Sequence, residues 1–194
     1  MKKSIAILLS LTIAVMASAQ EKWAVVGISA AWAQSGPEYT SSFETQMLMG
    51  SVVRILETRG YWVRVRAEEP PYEAWVNEMA LVRMTAREKS AYVADDKYIF
   101  IKSSGDILSE PVSGSERICD ISLGGLVRIA KDTGGRAIKK GIYRAVILPS
   151  GKIGYVDRKS VTEFRTWASG VAPTAEGIIA TAKTMLGAPY VWGG

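Results

Sequence analysis

The side chains in this 194-residue sequence whose types could do chemistry fall into three groups. Cys119 is the single thiol, Glu68, Glu69, Glu73 and Glu78 gather carboxylates in a short stretch, and Trp23, Trp32, Trp62, Tyr72 and Trp75 crowd aromatic rings. A serine or cysteine nucleophile needs a base to take its proton, usually an imidazole. The sequence has no histidine, so these residues cannot assemble a Ser-His-Asp or a Cys-His arrangement. A lone cysteine without histidine also excludes the thiolate and imidazole ligand sets of zinc. No D-x-[DN]-x-[DN]-G loop, Walker phosphate loop or G-x-S-x-G turn occurs. No catalytic residue, metal ligand or cofactor is assigned.

Two carboxylates facing across a cleft would suit glycoside hydrolysis, but acidic residues beside a strand turn are usually solvated surface. Cys119 lies among Ile118, Ile121 and Leu123 and reads as a small buried hydrophobe. Most of the aromatic rings suit barrel core and hairpin packing. Tyr72 follows Pro70-Pro71 at a loop–strand junction and is the candidate for an exposed binding contact.

The elements that must position these residues are mostly short strands. Residues 1–19 read as a signal peptide: Lys2 and Lys3 precede an apolar run from Ile5 to Met16, and Ala17-Ser18-Ala19 supplies the small cleavage residues. That run is too short to span a bilayer, and charged residues interrupt every later apolar run, so no membrane span is expected. The formal net charge is +5, with Lys2 and Lys3 in the leader. So mild an excess suits an anionic envelope and argues against nucleic acid as a partner. Strands are expected at Val52–Leu56, Tyr61–Arg66, Ala74–Val76, Tyr98–Lys102, Leu126–Ala130, Ile142–Leu148 and Ile153–Val156. Val63 and Val65 alternate with Arg64 and Arg66 there, the period of a half-buried strand. Turns are expected at Ser103–Asp106, Asp132–Gly135 and Pro149–Lys152.

The two sets of strands resemble each other. Gly50, Val53, Arg54 and Ile55 recur at one constant offset as Gly124, Val127, Arg128 and Ile129. Tyr61 aligns with Tyr143, and Trp75, Val76 and Leu81 with Tyr155, Val156 and Val161. Between the copies, Thr85-Ala86-Arg87-Glu88 has the pattern of a capping box, which predicts a short helix over Ala86–Val93. Near the end, Pro173-Thr174 supplies a break and an N-cap, Ile178, Ile179, Ala182, Met185 and Leu186 form an apolar stripe, and Gly187 with Pro189 stops the helix. A full stripe with little chain after it calls for a covering partner.

Gly36-Pro37-Glu38-Tyr39, Thr45 to Gly50, Gly60 to Val65 and Tyr72-Glu73-Ala74-Trp75-Val76 resemble a bacterial SH3 domain. The closing A-x-x-x-L-G-x-P-Y-x-W-G-G run, Ala182 to Gly194, resembles the entrance of an NlpC-type cell-wall cysteine peptidase. The resemblance implies a mainly β fold: two tandem SH3-like small barrels followed by the first helix of an α+β papain-like peptidase domain. It implies units at 1–19 (signal peptide), 20–84 (first SH3-like), 85–97 (linker), 98–165 (second SH3-like) and 166–194 (linker and start of the peptidase domain). It further implies kinship with γ-D-glutamyl-L-diamino-acid endopeptidases, which trim peptidoglycan stem peptides, often ones with a free N-terminal L-Ala. Their nucleophilic cysteine lies in a D-C-S-G segment after P-Y-x-W-G-G, followed by a histidine base, and this sequence reaches Gly194 before either.

The implied substrate contacts are Tyr190 and Trp192, beside the cleft in relatives, and Tyr72, which closes the cleft around the substrate's amino end. Gln34 stands where relatives often carry arginine, and Ser42 where they often carry a glutamate. Glu44 is near that position but is expected to point differently on a strand, which would weaken ammonium recognition. Two functional readings remain open. One is the substrate-binding portion of a stem-peptide endopeptidase, truncated before its nucleophile and inactive as written. The other is a non-catalytic envelope-binding module for murein peptides or another envelope protein. Both are exported, to the periplasm or beyond, with stem peptides as partners, no cofactor and a monomeric state expected.

Overall fold

The computed structural model describes residues 22–68, 70–190 and 192. The leader expected at 1–19, Glu69 and the final glycines lie outside the described residues. The chain is mainly β. Its first sheet comprises β1 (Trp23–Val26), β2 (Ala30–Gln34), β3 (Phe43–Leu48), β4 (Val52–Arg59), β5 (Trp62–Glu68), β6 (Pro71–Asn77) and β7 (Leu81–Met84), in the order β3-β2-β6-β5-β4-β1-β7. All pairings are antiparallel. The period of two in β5 holds: Val63 and Val65 are fully buried while Arg64 and Arg66 face outward. They join Ala24, Val26, Ala31, Ala33, Val53 and Val76 in one apolar core.

Helix α1 (Ala86–Ala94) follows, and its capping box is formed. The Glu88 N–H donates to Thr85 Oγ1, and the Thr85 N–H donates back to the Glu88 carboxylate. At the other end the Lys97 ammonium donates to the carbonyls of Tyr92, Val93 and Asp95, which satisfies groups a helix C-terminus leaves open.

The second sheet comprises β8 (Lys97–Phe100), β9 (Ser104–Leu108), β10 (Arg117–Ser122), β11 (Leu126–Ile129), β12 (Lys139–Lys140), β13 (Tyr143–Ile147), β14 (Ile153–Asp157) and β15 (Val161–Glu163). Its order is β10-β9-β14-β13-β11-β8-β15, with β12 added beside β13. Position by position this is the order of the first sheet. Turn bonds repeat as well. Val26 N donates to Ser51 O where Phe100 N donates to Gly125 O, and Gly27 N donates to Ala80 O where Ile101 N donates to Ser160 O. Gly50 and Gly124 occupy equivalent turns at φ 87° and 85°, a region that only glycine enters freely. The register corrects one alignment by a residue. Trp62 pairs with Asn77 as Tyr143 pairs with Asp157, so Trp62, not Tyr61, is the counterpart of Tyr143.

Two expected breaks are strand instead. Ser104 to Asp106 begin β9, because Gly105 serves packing there: a Cβ on it would lie 2.5 Å from the Phe100 ring. Pro71 opens β6 opposite Glu68, a first-strand position that needs no N–H. The turn at Asp132 forms as expected, with Asp132 Oδ1 accepting from the N–H groups of Gly134 and Arg136.

The two sheets meet at the β3–β4 turn. Met49 is fully buried, and its side chain belongs to the core of the second sheet, with Phe100, Ile107, Ile121 and Val127. Leu126 N donates to Met49 O at 2.9 Å, and the Ser29 and Ser122 hydroxyls meet at 2.7 Å. A Cβ on Gly50 would stand 2.4 Å from Leu126 O. Cys119 sits on the end strand β10, packed on the rim of this core. Burial pushes its thiol up to about 11, with Asp120 adding to the shift.

Beyond β15 come α2 (Phe164–Gly170), which the sequence pattern did not announce, and α3 (Ala175–Lys183). Thr174 caps α3 through Gly177 N as expected. The helix closes at Lys183, ahead of the Met185 and Leu186 end of the stripe, and none of its residues is buried. No helix among the described residues is long and apolar enough to cross a membrane.

Truncating Met49 to alanine should cost about 2–5 kcal/mol in a urea melt. Gly50→Ala should split a single unfolding transition into two; a single unshifted transition in both variants would contradict the shared core. The N–H of Thr85, then its hydroxyl, holds the Glu88 carboxyl below its ordinary 4.5. A lowered carboxyl contributes stability that is full above the unfolded value and is lost as pH falls through the folded one. Far-UV circular dichroism should therefore show α1 fraying below about pH 4.5 in the wild type, with the dependence reduced in Glu88→Gln. For Cys119, iodoacetamide at pH 8 should label the folded chain on the order of a hundredfold more slowly than the urea-unfolded chain.

Candidate functional site

A groove of 770 Å³ runs along the free edge of β3 to the junction of the two sheets. One wall is β3 itself, Glu44 to Leu48, and the other carries Ala67, Glu68, Pro70 and Tyr72 from the β5–β6 hairpin. The floor is Gly50 to Val52, closed at the far end by Leu126 and Phe164. The groove therefore exists because the sheets are joined. Its far end adjoins a smaller cavity of 230 Å³ lined by Tyr92, Asp95, Lys97 and Arg165. Burial pushes the Tyr92 phenol up to about 12, with Arg128 pulling the other way.

Tyr72 is the second residue of β6, opposite Ala67 at the hairpin tip. It is 39% exposed, and its hydroxyl donates to Glu44 Oε2 at 3.5 Å, a long hydrogen bond. This contact corrects the expectation that Glu44 points elsewhere. The register of β2 with β3 runs Ala33 to Thr45 and then Gln34 to Phe43, so Glu44 is the extra residue of a β-bulge. Bulges re-aim side chains, and strict alternation along β3 misdirects this one. Glu44 is the candidate site residue that strand periodicity missed. The signal was only its closeness in sequence to Gln46.

The carboxylates divide. Glu44 and Glu68 line the groove, and among the described residues no lysine or arginine lines it. Glu73 is held on the outer face by Arg64 at 2.7 Å and Arg66 at 3.4 Å, and Glu78 pairs with Arg83 at 2.8 Å. Both of these have surface ion partners, not the placement of a pair across a cleft. The groove can thus attract a cation and hold its N–H groups, with carboxylate and phenol oxygens as acceptors.

The aromatic residues separate in the same way. Trp62 and Trp75 are buried; Tyr39 packs edge-on against Trp62 at 5.1 Å and the Arg59 guanidinium lies over Trp75 at 5.2 Å. Trp23 carries the Lys89 ammonium over its ring at 4.4 Å. Trp32 is 60% exposed and stacks on Phe43. Gln34 is buried at 6% exposure, and its Oε1 has no partner among the described residues. Tyr190 and Trp192 are 84% and 68% exposed and line none of these cavities, so the structure does not bring them to Tyr72.

Residues 35–81, which contain β3, the bulge and Tyr72, match the family model described as the bacterial dipeptidyl-peptidase Sh3 domain. A γ-D-glutamyl-L-lysine dipeptidyl-peptidase of Bacillus cereus is 26% identical over 162 residues, covering 79% of this chain and 45% of the relative. The chain thus spans about half the length of the curated relative it matches. The crystal structure of an NlpC/P60 family protein from Bacillus cereus superposes with a TM-score of 0.71 at 19% identity, covering 89% of this chain and 66% of that one. An NlpC/P60 endopeptidase from Photobacterium damselae subsp. piscicida gives 0.57 at 12% identity, covering 90% and 39%. In its matched SH3 segment, its sequence relative and its fold, the chain is similar to NlpC-type peptidases that carry a bacterial SH3 domain.

Proposed function

We propose that this chain is the substrate-binding and positioning portion of a peptidoglycan stem-peptide endopeptidase. The contact between Glu44 and Tyr72 at the end of a groove that no basic side chain lines among the described residues supports this reading most directly. A stem peptide with a free amino end would seat its ammonium against the Glu44 carboxylate. The Tyr72 hydroxyl, already donating to that carboxylate, fixes its direction. Charge-assisted hydrogen bonds of this kind are the strong ones, and a half-exposed site of this polarity selects for the charged amino end. Tyr190 and Trp192 complete the cleft in this reading, once the helix that precedes them is docked.

The proposed division is an exported chain with leader 1–19, SH3-like units at 20–84 and 98–165, a linker at 85–97, and the start of a peptidase domain at 166–194. The bond addressed is that between γ-D-glutamate and the diamino acid. These 194 residues hold no histidine, so within them the groove binds and orients, and the nucleophile and imidazole have to come from elsewhere. That observation equally supports a second reading, an envelope-binding module that holds murein peptides without cleaving them. Both act in the periplasm or outside the cell, and both depend on the same groove.

Isothermal titration of the full chain with L-Ala-γ-D-Glu-L-Lys checks the shared element. Acetylating the peptide's amino end, or replacing Glu44 by glutamine, should weaken binding about tenfold or more, as expected for loss of a charge-assisted bond. Tyr72→Phe should give a smaller loss. Equal affinity for the acetylated and free peptides would remove the basis of the reading.

A further inference from the structure

The two copies of the fold differ sharply at one matched place. The loops after β2 and β9 are closed by the same bonds. Ser35 N donates to Ser42 O as Ser109 N does to Glu116 O, and Ser41 N donates to Glu38 O as Ser115 N does to Val112 O. These bonds align 35–42 with 109–116, so Pro37 matches Pro111 and Tyr39 matches Ser113. In the first copy Tyr39 covers Trp62 edge-on at 5.1 Å, and its hydroxyl accepts from Asn77 Nδ2 at 3.2 Å. The matching residues of the second copy are Tyr143 and Asp157. Asp157 accepts from Lys159 N just as Asn77 accepts from Met79 N. Ser113 has no ring to lay over Tyr143. A cavity of 380 Å³ stands there instead, and its lining includes Asp106, Leu108, Ser113, Arg117, Tyr143 and Asp157.

Tyr143 is 9% exposed, and none of the described hydrogen bonds involves its hydroxyl. Lys159 N takes one oxygen of Asp157, and the other meets no donor among the described residues. On the rim Asp106 and Arg117 pair at 3.4 Å, at the positions where Trp32 and Phe43 stack in the first copy. A carboxylate only accepts, so the change from Asn77 to Asp157 reverses the bond. An occupant has to donate to Asp157, where Tyr39 accepts from Asn77. Charge narrows the choice. Two carboxylates disfavour an anion; Arg117, Lys140 paired opposite Tyr143, and Arg158 and Lys159 after Asp157 disfavour a further cation. A neutral ring with a hydroxyl, such as Tyr39 itself carries, meets every condition. We propose that this cavity is a second binding site, which takes the side chain of a tyrosine presented by another protein. The ring lies edge-on to Tyr143, an arrangement that aromatic pairs favour, and the hydroxyl donates to Asp157. The site is separate from the Glu44 groove and does not depend on the proposed function.

The test is an NMR titration of the ¹⁵N-labelled full chain with N-acetyl-tyrosinamide. The amides of Ser113, Tyr143 and Asp157 should shift together. N-acetyl-phenylalaninamide, which lacks the hydroxyl, should bind about tenfold more weakly. Ser113→Tyr gives the second copy the ring of the first and should abolish the response. Tyr39→Ser should do the reverse, opening a responsive set at Trp62 and Asn77, and it keeps the test readable should the other variant misfold. Silence at Ser113, Tyr143 and Asp157 up to the solubility of the probe overturns the proposal. So does equal affinity for the two probes, an undiminished response in folded Ser113→Tyr, or a Tyr39→Ser chain that stays silent at Trp62 and Asn77. A stronger response to methylguanidinium would make this a cation site and overturn it too. If the same amides shift with protein concentration alone, a tyrosine of a second copy is the occupant and the assignment to another protein fails.

Discussion

Everything that makes a site in this protein depends on one crossing of backbones, where the Met49-Gly50 turn of the first sheet lies against Leu126 of the second. Small β barrels bury too little surface to be robust by themselves. Here the first barrel lends its neighbour a core residue, since Met49 sits among Phe100, Ile107, Ile121 and Val127. The approach is possible because Gly50 has no Cβ to strike Leu126 O and adopts φ 87° without strain. Gly124, in the equivalent turn, faces Leu48 Cδ1 in return. The groove floor is this joint. Loosening it would separate Glu44 and Tyr72 from Leu126 and Phe164 even with each sheet intact.

The two sheets share one strand order yet carry different chemistry. In the first, a bulge at Glu44 and a hairpin tip at Tyr72 bring an acid and a phenol together across an open edge. In the second, the corresponding end strand β10 has a bulge after Arg117 and carries Cys119, whose raised thiol suits packing and not nucleophilic attack. Arginines 64 and 66 stay outside the groove, tied to Glu73, so positive charge is kept from the end where an ammonium would sit. One scaffold, used twice, brings an acid and a phenol together in one copy and packs a half-buried thiol in the other.

Some of this was legible in the residues. The alternation of Val63 and Val65 with Arg64 and Arg66 gave β5 and its buried face, and Thr85 with Glu88 gave the start of α1 through a capping box that forms as read. The repeat was visible because the glycine turns and the following apolar residues are under the same constraint in both copies. Strands β1 and β2 carried no usable period, since Trp23-Ala24-Val25-Val26 and the alanines of β2 are mostly buried with no polar face to alternate. Gly105 read as a turn because a glycine needed for closeness to Phe100 looks the same in sequence as one needed for φ. Glu44 was misdirected for a related reason: a bulge inserts one residue into a strand without changing its composition, so alternation fails at that point. The exposure of Tyr72 was legible from its place after Pro70-Pro71, but its contact with Glu44 was not.

In the proposed function the peptide lies across the joint between the sheets. Titrating a ¹⁵N-labelled chain with L-Ala-γ-D-Glu-L-Lys and mapping the shifted amides tests it most directly. The account predicts one contiguous set running from Glu44 through Leu48, with Tyr72 on one side and Leu126 on the other. Shifts confined to the exposed Trp32 and Phe43 face, or to the second sheet alone, would contradict it.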